Sequence, residues 1–255
     1  MSPAEVIRIK DLLPTSLGSA EIRERIARDI LARSVFSARM ESMRHLAKIR
    51  DVCDAVAAGK MNQATARARL MESLSAMGHS PLDDGGLANP ASIVRLNLII
   101  ETQTQMAASV ARMDAQTPAV VANWPAWRLE RVEDRALPRK DWARRWAAAG
   151  EATLWRGAVE GEMVALKDSP IWQALGDGAG GFRDTLGNPY PPFAYGSGMD
   201  WTDVDAEECA ALGLATDGAD APEAATLSPG EREIADAAKR LGFDFKSIAG
   251  GLQWT

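Results

Sequence analysis

The chain has 255 residues, of which 46% are hydrophobic and 25% charged, a composition that suits one large or two modest cores and excludes a chain disordered throughout. Its longest apolar runs, such as "LNLII" at 96–100, fall far short of the roughly 20 residues a membrane span requires, and the amino terminus lacks a basic-then-apolar export signal, so a soluble chain is expected. Charge is uneven: residues 1–113 carry 15 Lys and Arg against 12 Asp and Glu, residues 114–150 carry 7 against 5, and residues 151–255 carry 7 against 18.

In chain order, Ser19 is placed to cap a helix whose Ile22, Ile26 and Ile30 recur every four residues. Phe36, Met40, Met43, Leu46, Cys53 and Val56 carry the helical period on to Gly59, which suits a helix end. The spacing predicts one long helix, or two with a break near Ser34 to Ser37. Asn62 then caps a helix with Ala66, Leu70, Leu74 and Met77 along one stripe, closed by Gly78 and followed by Pro81. Pro90 suits the first turn of a third, whose stripe is Ile93, Leu96, Ile100, Thr104 and Ala107. Residues 1–113 are therefore expected to form a helical region.

Composition changes after Met113, where Pro and Trp become frequent. Trp127, Leu129 and Val132 alternate imperfectly, as in a short strand with a slip. Short elements follow in "EMVALKDSPIW", then the glycine-rich "LGDGAGGFRDTLG", then the proline-aromatic stretch "GNPYPPFAYGSGMDW" at 187–201. A Thr or Asp within "TDVDAEECAALGL" caps a short helix that Gly213 ends. Residues 114–215 read as a small mixed α+β domain with Pro/Gly-rich loops, which makes the fold class α+β. Residues 216–255 read as a linker and a helix from Ser228-Pro229 through Arg240, followed by an apolar piece, "FDFKSIAGGLQW", that must pack on its own domain or on a neighbour.

Little in the sequence points to chemistry. Cys53 and Cys209 have no CxxC spacing, so neither a disulfide nor a zinc site is expected; Cys53 reads as a small core residue and a reducing compartment fits. His45, among helical arginines, and His79, after a helix stop, read as surface or capping residues. Glu130, Glu133 and Asp134 alternate with Arg131 and Arg135, which favours ion pairs over proton transfer. "GDGAGG" lacks the lysine of a phosphate-binding loop. No catalytic, cofactor or metal site is expected, and the protein reads as a non-enzyme. In the proline-aromatic stretch, Pro191 and Pro192 fix the backbone, so Tyr190, Phe193, Tyr195, Met199 and Trp201 are candidates to dock a partner with little loss of entropy. The other reading of the same loop is a self-packed cap, with docking expected of Tyr195 and burial of Phe193.

The order of a helical region, "RLNLIIETQTQMAASVARM", "WPAWRLERVEDRALPR", "MVALKDSPIW" and "NPYPPFAYGSGMDWTDVDAEECAALGL" resembles the phage head-morphogenesis, or minor head protein, family typified by the F protein of phage Mu, and within it a prophage-encoded subgroup. The matching positions are Arg95, Thr102 and Ala107 in the helix; Asp134 and Arg135, adjacent here where the family spaces them by one; Asp168, Pro170 and Trp172; and Pro191, Pro192 and Phe193. The likeness covers residues 90–215 by motif. The histidine and the cysteine-bearing segment that the family often carries are replaced here by Trp142 and "AYGSGM", so no metal or disulfide role transfers. The resemblance implies a structural minor head protein of low copy number. It would act in capsid assembly in the bacterial host cytoplasm, reside in the virion, and meet the portal protein or the major capsid protein, with no cofactor and no membrane. Two alternatives remain at this point: an ADP-ribosyltransferase-like enzyme drafting Arg131, Tyr195 and Glu207, and a packaging accessory that makes weak DNA contact through the arginine-rich helices of residues 23–69.

Overall fold

The structure, a computed structural model, describes residues 1–80, 86–134, 137–153 and 162–214, together with the backbone of 245–248 and 251–254. Arg135 and the helix expected from Ser228 lie outside the described residues.

Local chemistry starts most helices. Helix α1 (Pro3–Arg8) opens on a capping box in which Ser2 and Glu5 satisfy each other's backbone N–H groups. Helix α2 (Ser19–Arg25) begins one residue after Gly18, so Ser19 is its first residue and not its cap. The isoleucine spacing does not hold one helix together: Ile26 is extended at φ −106° and ψ 129°, a separate α3 (Arg28–Ala32) follows, and only Ile22 of the three is buried. Ser34–Val35 then forms β2, paired in parallel with β1 (Asp11–Leu12). A period that suits a helix was overridden here because Val35, fully buried, gains more from lying beside Leu12 in the first core than from continuing a solvated turn.

Helix α4 (Met43–Ala57) is capped by Ser42, and α5 (Gln63–Ser75) by Asn62, whose side chain accepts from the Thr65 N–H at 2.8 Å. Gly59 takes a positive φ of 69° between them, as a helical hairpin requires. Helix α6 (Ile93–Asp114) starts at the Ser92 cap, two residues beyond Pro90, and runs 22 residues, roughly 33 Å. Its Leu96, Ile100, Ala107 and Ala111 close a core with Ile7, Leu46, Ile49, Leu70 and Leu74.

After α7 (Pro118–Asn123) come β3 (Ala126–Arg131), α8 (Trp142–Ala152), β4 (Val164–Leu166), α9 (Ile171–Asp177), β5 (Met199–Val204) and α10 (Ala206–Ala211). The three strands form an antiparallel sheet in the order β4-β3-β5, with Trp127 opposite Ala165 and Leu129 opposite Trp201. Period-two alternation then divides the side chains. Trp127, Leu129, Met199 and Trp201 face a second core with Trp146, Ile171, Trp172 and Phe193, while Ala126, Val164 and Val204 face a third with Cys209 and Leu214. The outer edge of β5 is occupied: Arg112 of α6 donates to the Trp201 carbonyl at 2.8 Å and pairs with Asp200 at 3.2 Å. Finally, β6 (Phe245–Ile248) and β7 (Gly251–Trp254) form an antiparallel hairpin. Among the described residues no helix is long and apolar enough to cross a membrane.

Candidate functional site: a braced proline-aromatic loop

The loop between α9 and β5 is built backbone first. Gly176, in the last turn of α9, lies so close to the loop that a Cβ there would stand 1.9 Å from the Asn188 carbonyl oxygen. Gly187 N–H donates to the Gly176 carbonyl at 2.9 Å, Leu186 N–H donates to the Phe193 carbonyl at 2.9 Å, and Thr185 and Ala194 form an isolated bridge. Pro191 and Pro192, joined by a cis peptide bond, are buried. The Ser197 hydroxyl donates to the Pro192 carbonyl at 2.6 Å and accepts from the Met199 N–H at 3.2 Å, which fixes the entry into β5.

Three arginines brace this loop from the other side. Arg131, at the end of β3, donates to the carbonyls of Ser197 at 3.0 Å and Arg139 at 2.9 Å. Arg139 donates to the Tyr195 carbonyl at 2.8 Å and pairs with Asp184 at 3.0 Å. Arg145 of α8 grips both oxygens of Asp184, at 2.8 and 3.1 Å, and reaches Asp141 as well. Burial works against ionisation of Asp184, and Arg145 and Arg139 outweigh it, so its carboxyl sits below the usual range. Burial likewise works against the Arg145 cation, and Asp184 and Asp141 outweigh it. Phe182 lies under both Arg144 and Arg145, 5.1 and 4.3 Å from ring centroid to guanidinium.

The five docking candidates separate on burial. Phe193 is fully buried, at a positive φ of 50°, between Trp172 and Trp201 at centroid distances of 6.1 and 6.0 Å. Trp201 stacks on Trp127 at 3.7 Å, and Met199 is buried in the same core. In this fold Phe193, Met199 and Trp201 are core anchors whose side chains do not reach a partner; the sheet's alternation and the loop's return over it turn them inward. Tyr190 and Tyr195 remain half-buried, Tyr190 packing against the second core, and burial pushes the pKa of both phenols up. Of the five candidates, only these two phenols keep part of their surface open.

The remaining motif positions are structural. Arg95 is buried and donates to the Ser37 hydroxyl at 2.8 Å, to the Ala38 carbonyl and to the Leu87 carbonyl at 3.3 Å, tying the start of α6 to the segment before α4. Thr102 and Ala107 are buried on α6, and Asp134 and Asp168 are exposed. Pro170 caps α9, and the Trp172 indole donates to the Leu166 carbonyl at 2.9 Å, locking the turn from β4.

Several sequence expectations need correction. Among the described residues Arg131 bonds carbonyls, and Glu133 accepts from Gln105 at 2.7 Å; the expected pairing with Arg135 falls outside them. His45 is buried, with its Nδ1 3.0 Å from the Ser73 hydroxyl, and burial above all pushes its pKa down to about 4. Cys53, by contrast, is the small core residue that the sequence suggested: it is fully buried, and burial pushes its thiol up to about 12. Of the residues drafted for ADP-ribose transfer, Arg131 pairs with Met199 at one end of β3 and β5, while Glu207 lies on α10, which follows their other end at Val204. Arg139, Arg145 and Asp184 escaped the sequence reading; an arginine pair in "ARRW" and a lone Asp in "FRDTL" carry no local sign of each other.

Among the described residues no group of three or more His, Cys, Asp or Glu is placed to hold a metal ion. No family model matches the chain, and neither a curated protein nor a solved structure matches it.

Proposed function

We propose that the chain is a structural minor head protein that acts in phage capsid assembly and docks on the portal or major capsid protein through the outer side of the 182–195 loop. The observation that carries this reading is a loop held rigid from beneath by Phe193 and from the side by Arg131, Arg139 and Arg145, with Tyr190 and Tyr195 only partly covered. Ordering such a loop costs a partner little entropy, and tyrosines bring large contact area with a polar tip. The motif resemblance over residues 90–215 supplies the class of partner. DNA contact through residues 23–69 is less favoured, because many of those arginines are engaged within the chain: Arg28 pairs with Asp177, Arg23 donates to the Arg183 carbonyl, and Arg67 to Asn97.

The test is incorporation into heads. A Tyr190→Ala/Tyr195→Ala chain is expected to stay folded, with a somewhat lower melting temperature because Tyr190 packs on the second core, and to be lost from assembled particles, since a central interface aromatic is commonly worth about 2 kcal/mol or more. Particles that retain this folded variant at the parental level overturn the reading.

A further inference from the structure

Residues 19–32 leave the helical half as an excursion whose two ends are fixed and whose middle is lightly held. At the ends, Thr15 bridges Met40, the Arg39 N–H donates to the Leu17 carbonyl at 2.9 Å, and Ser34–Val35 pairs with Asp11–Leu12. Between them α2 buries only Ile22, α3 buries none of its residues, and Ile26, Ile30 and Leu31 are half-buried. Among the described residues α2 packs closely on no other helix or strand, and α3 only on the adjoining β2. Few buried contacts of this kind mark a segment that can leave its seat while the rest stays folded.

Two arginines of this segment grip the proline-aromatic loop. Arg28 of α3 pairs with the Asp177 carboxylate and donates to the Asp177 carbonyl at 3.3 Å, at the base of the loop. Its methylenes lie against the backbone of Gly187, where a Cβ would stand 2.4 Å from Arg28 Cδ. Arg23 of α2 donates to the Arg183 carbonyl at 3.1 Å, one residue before Asp184, whose own carbonyl accepts from the Tyr195 N–H at 3.4 Å. Arg23 also stands close enough to the Tyr195 phenol to offset part of the effect of its burial. Both grips are polar, and the Arg28 and Asp177 side chains are 51% and 44% exposed. Ion pairs this open are weak and screened by salt, so the clasp is one that can be undone.

We infer that α2 and α3 form a strap, clasped over the proline-aromatic loop by Arg23 and Arg28, that covers Tyr195 until it is displaced. The strap is then a built-in guard on the docking side of the loop, a consequence that rests on the reading of that loop as a partner surface.

The chain has two tyrosines, Tyr190 and Tyr195, so nitration by tetranitromethane, read peptide by peptide, reports the accessibility of each. The full chain is compared with Arg28→Ala and with Asp177→Asn. These break the clasp from either side and leave Arg23, the charge beside the Tyr195 phenol, in place. In both variants Tyr195 is expected to react at least about fivefold faster than in the parent and the α2 and α3 amides to exchange faster, while Tyr190 and the β3 amides keep their parental rates. Tyr195 that reacts at the parental rate in either variant overturns the inference, whether or not α2 and α3 exchange faster. So does an equal acceleration of Tyr190, which would mean that the loop itself had loosened. All of this is measured on the free chain, so the strap can fail while incorporation into heads still depends on Tyr190 and Tyr195, and the reverse.

Discussion

His45 and Lys10 are polar groups inside the helical core, and for both the charged form opposes folding. His45 has a folded pKa of about 4 against 6.5 ordinarily, so the native state binds fewer protons than the unfolded chain between those values. Stability is expected to fall by about 2–3 kcal/mol as pH drops from 6.5 to 4, and urea melts of His45→Gln should show a much flatter profile in that window. Lys10 donates to Gln103 at 2.8 Å, and burial pulls its pKa down to about 8. Below pH 8 the native state must hold this ammonium in the core, a cost that disappears as pH rises toward 10.5. Lys10→Met is therefore expected to gain about 1–2 kcal/mol at pH 7 after loss of the Gln103 bond, with the gain shrinking between pH 8 and 10.5. Cys53, whose thiol sits at about 12 and interacts with Lys10, acts in the opposite direction above pH 9, so the comparison is read below that pH. In the loop, Phe193→Ala should cost about 3–5 kcal/mol in denaturant melts, because it empties a site enclosed by Trp172 and Trp201.

Helix α9 and the loop that follows it act as one rigid piece because Gly176 lets their backbones touch. A methyl group there has no space against the Asn188 carbonyl 1.9 Å away, so Gly176→Ala must push the loop off the helix. A loss of about 2–3 kcal/mol is expected, together with faster exchange at the Gly187 and Leu186 amides. Exchange unchanged from the parent would mean that the contact is slack. Helix α6 has a different task, since its faces serve both halves. Leu96 and Ile100 fill the helical core, while Gln105 and Arg112 reach Glu133 and Asp200 across the boundary.

Among the described residues that boundary is crossed by several polar contacts. There the helical core draws on residues 6–111, and the two clusters around the sheet on residues 126–214, with Met163 and Tyr190 among their flanks. Between them lie hydrogen bonds and half-exposed ion pairs: Arg28 with Asp177, Arg23 with the Arg183 carbonyl, Arg112 with Asp200. Polar interfaces of this kind resemble transient contacts between domains. A fragment of residues 1–116 is therefore expected to show a helical far-ultraviolet spectrum and a cooperative melt. A spectrum without helical minima would show that the first core depends on the second half.

Where capping and periodicity act within a turn or two, the amino acids alone were sufficient. Asn62 and Asp205 begin α5 and α10 as their side chains require, Ala66, Leu70 and Leu74 form the buried stripe, and Trp127 and Leu129 alternate in β3. The burial expected of Phe193, a ring with no polar tip, is also what the fold shows. Folding settled what depends on partners far along the chain. The run from Ile26 to Met40 has a helical period, but Val35 was drawn into an extended pair with Leu12. His45 became a core residue because Ser73, on the opposite arm of the hairpin, could meet its ring nitrogen. The brace of Arg139 and Arg145 on Asp184 exists only once α8 and the loop are packed together, since an ion pair leaves no trace in either segment until the fold brings the two charges within reach and shields them from water.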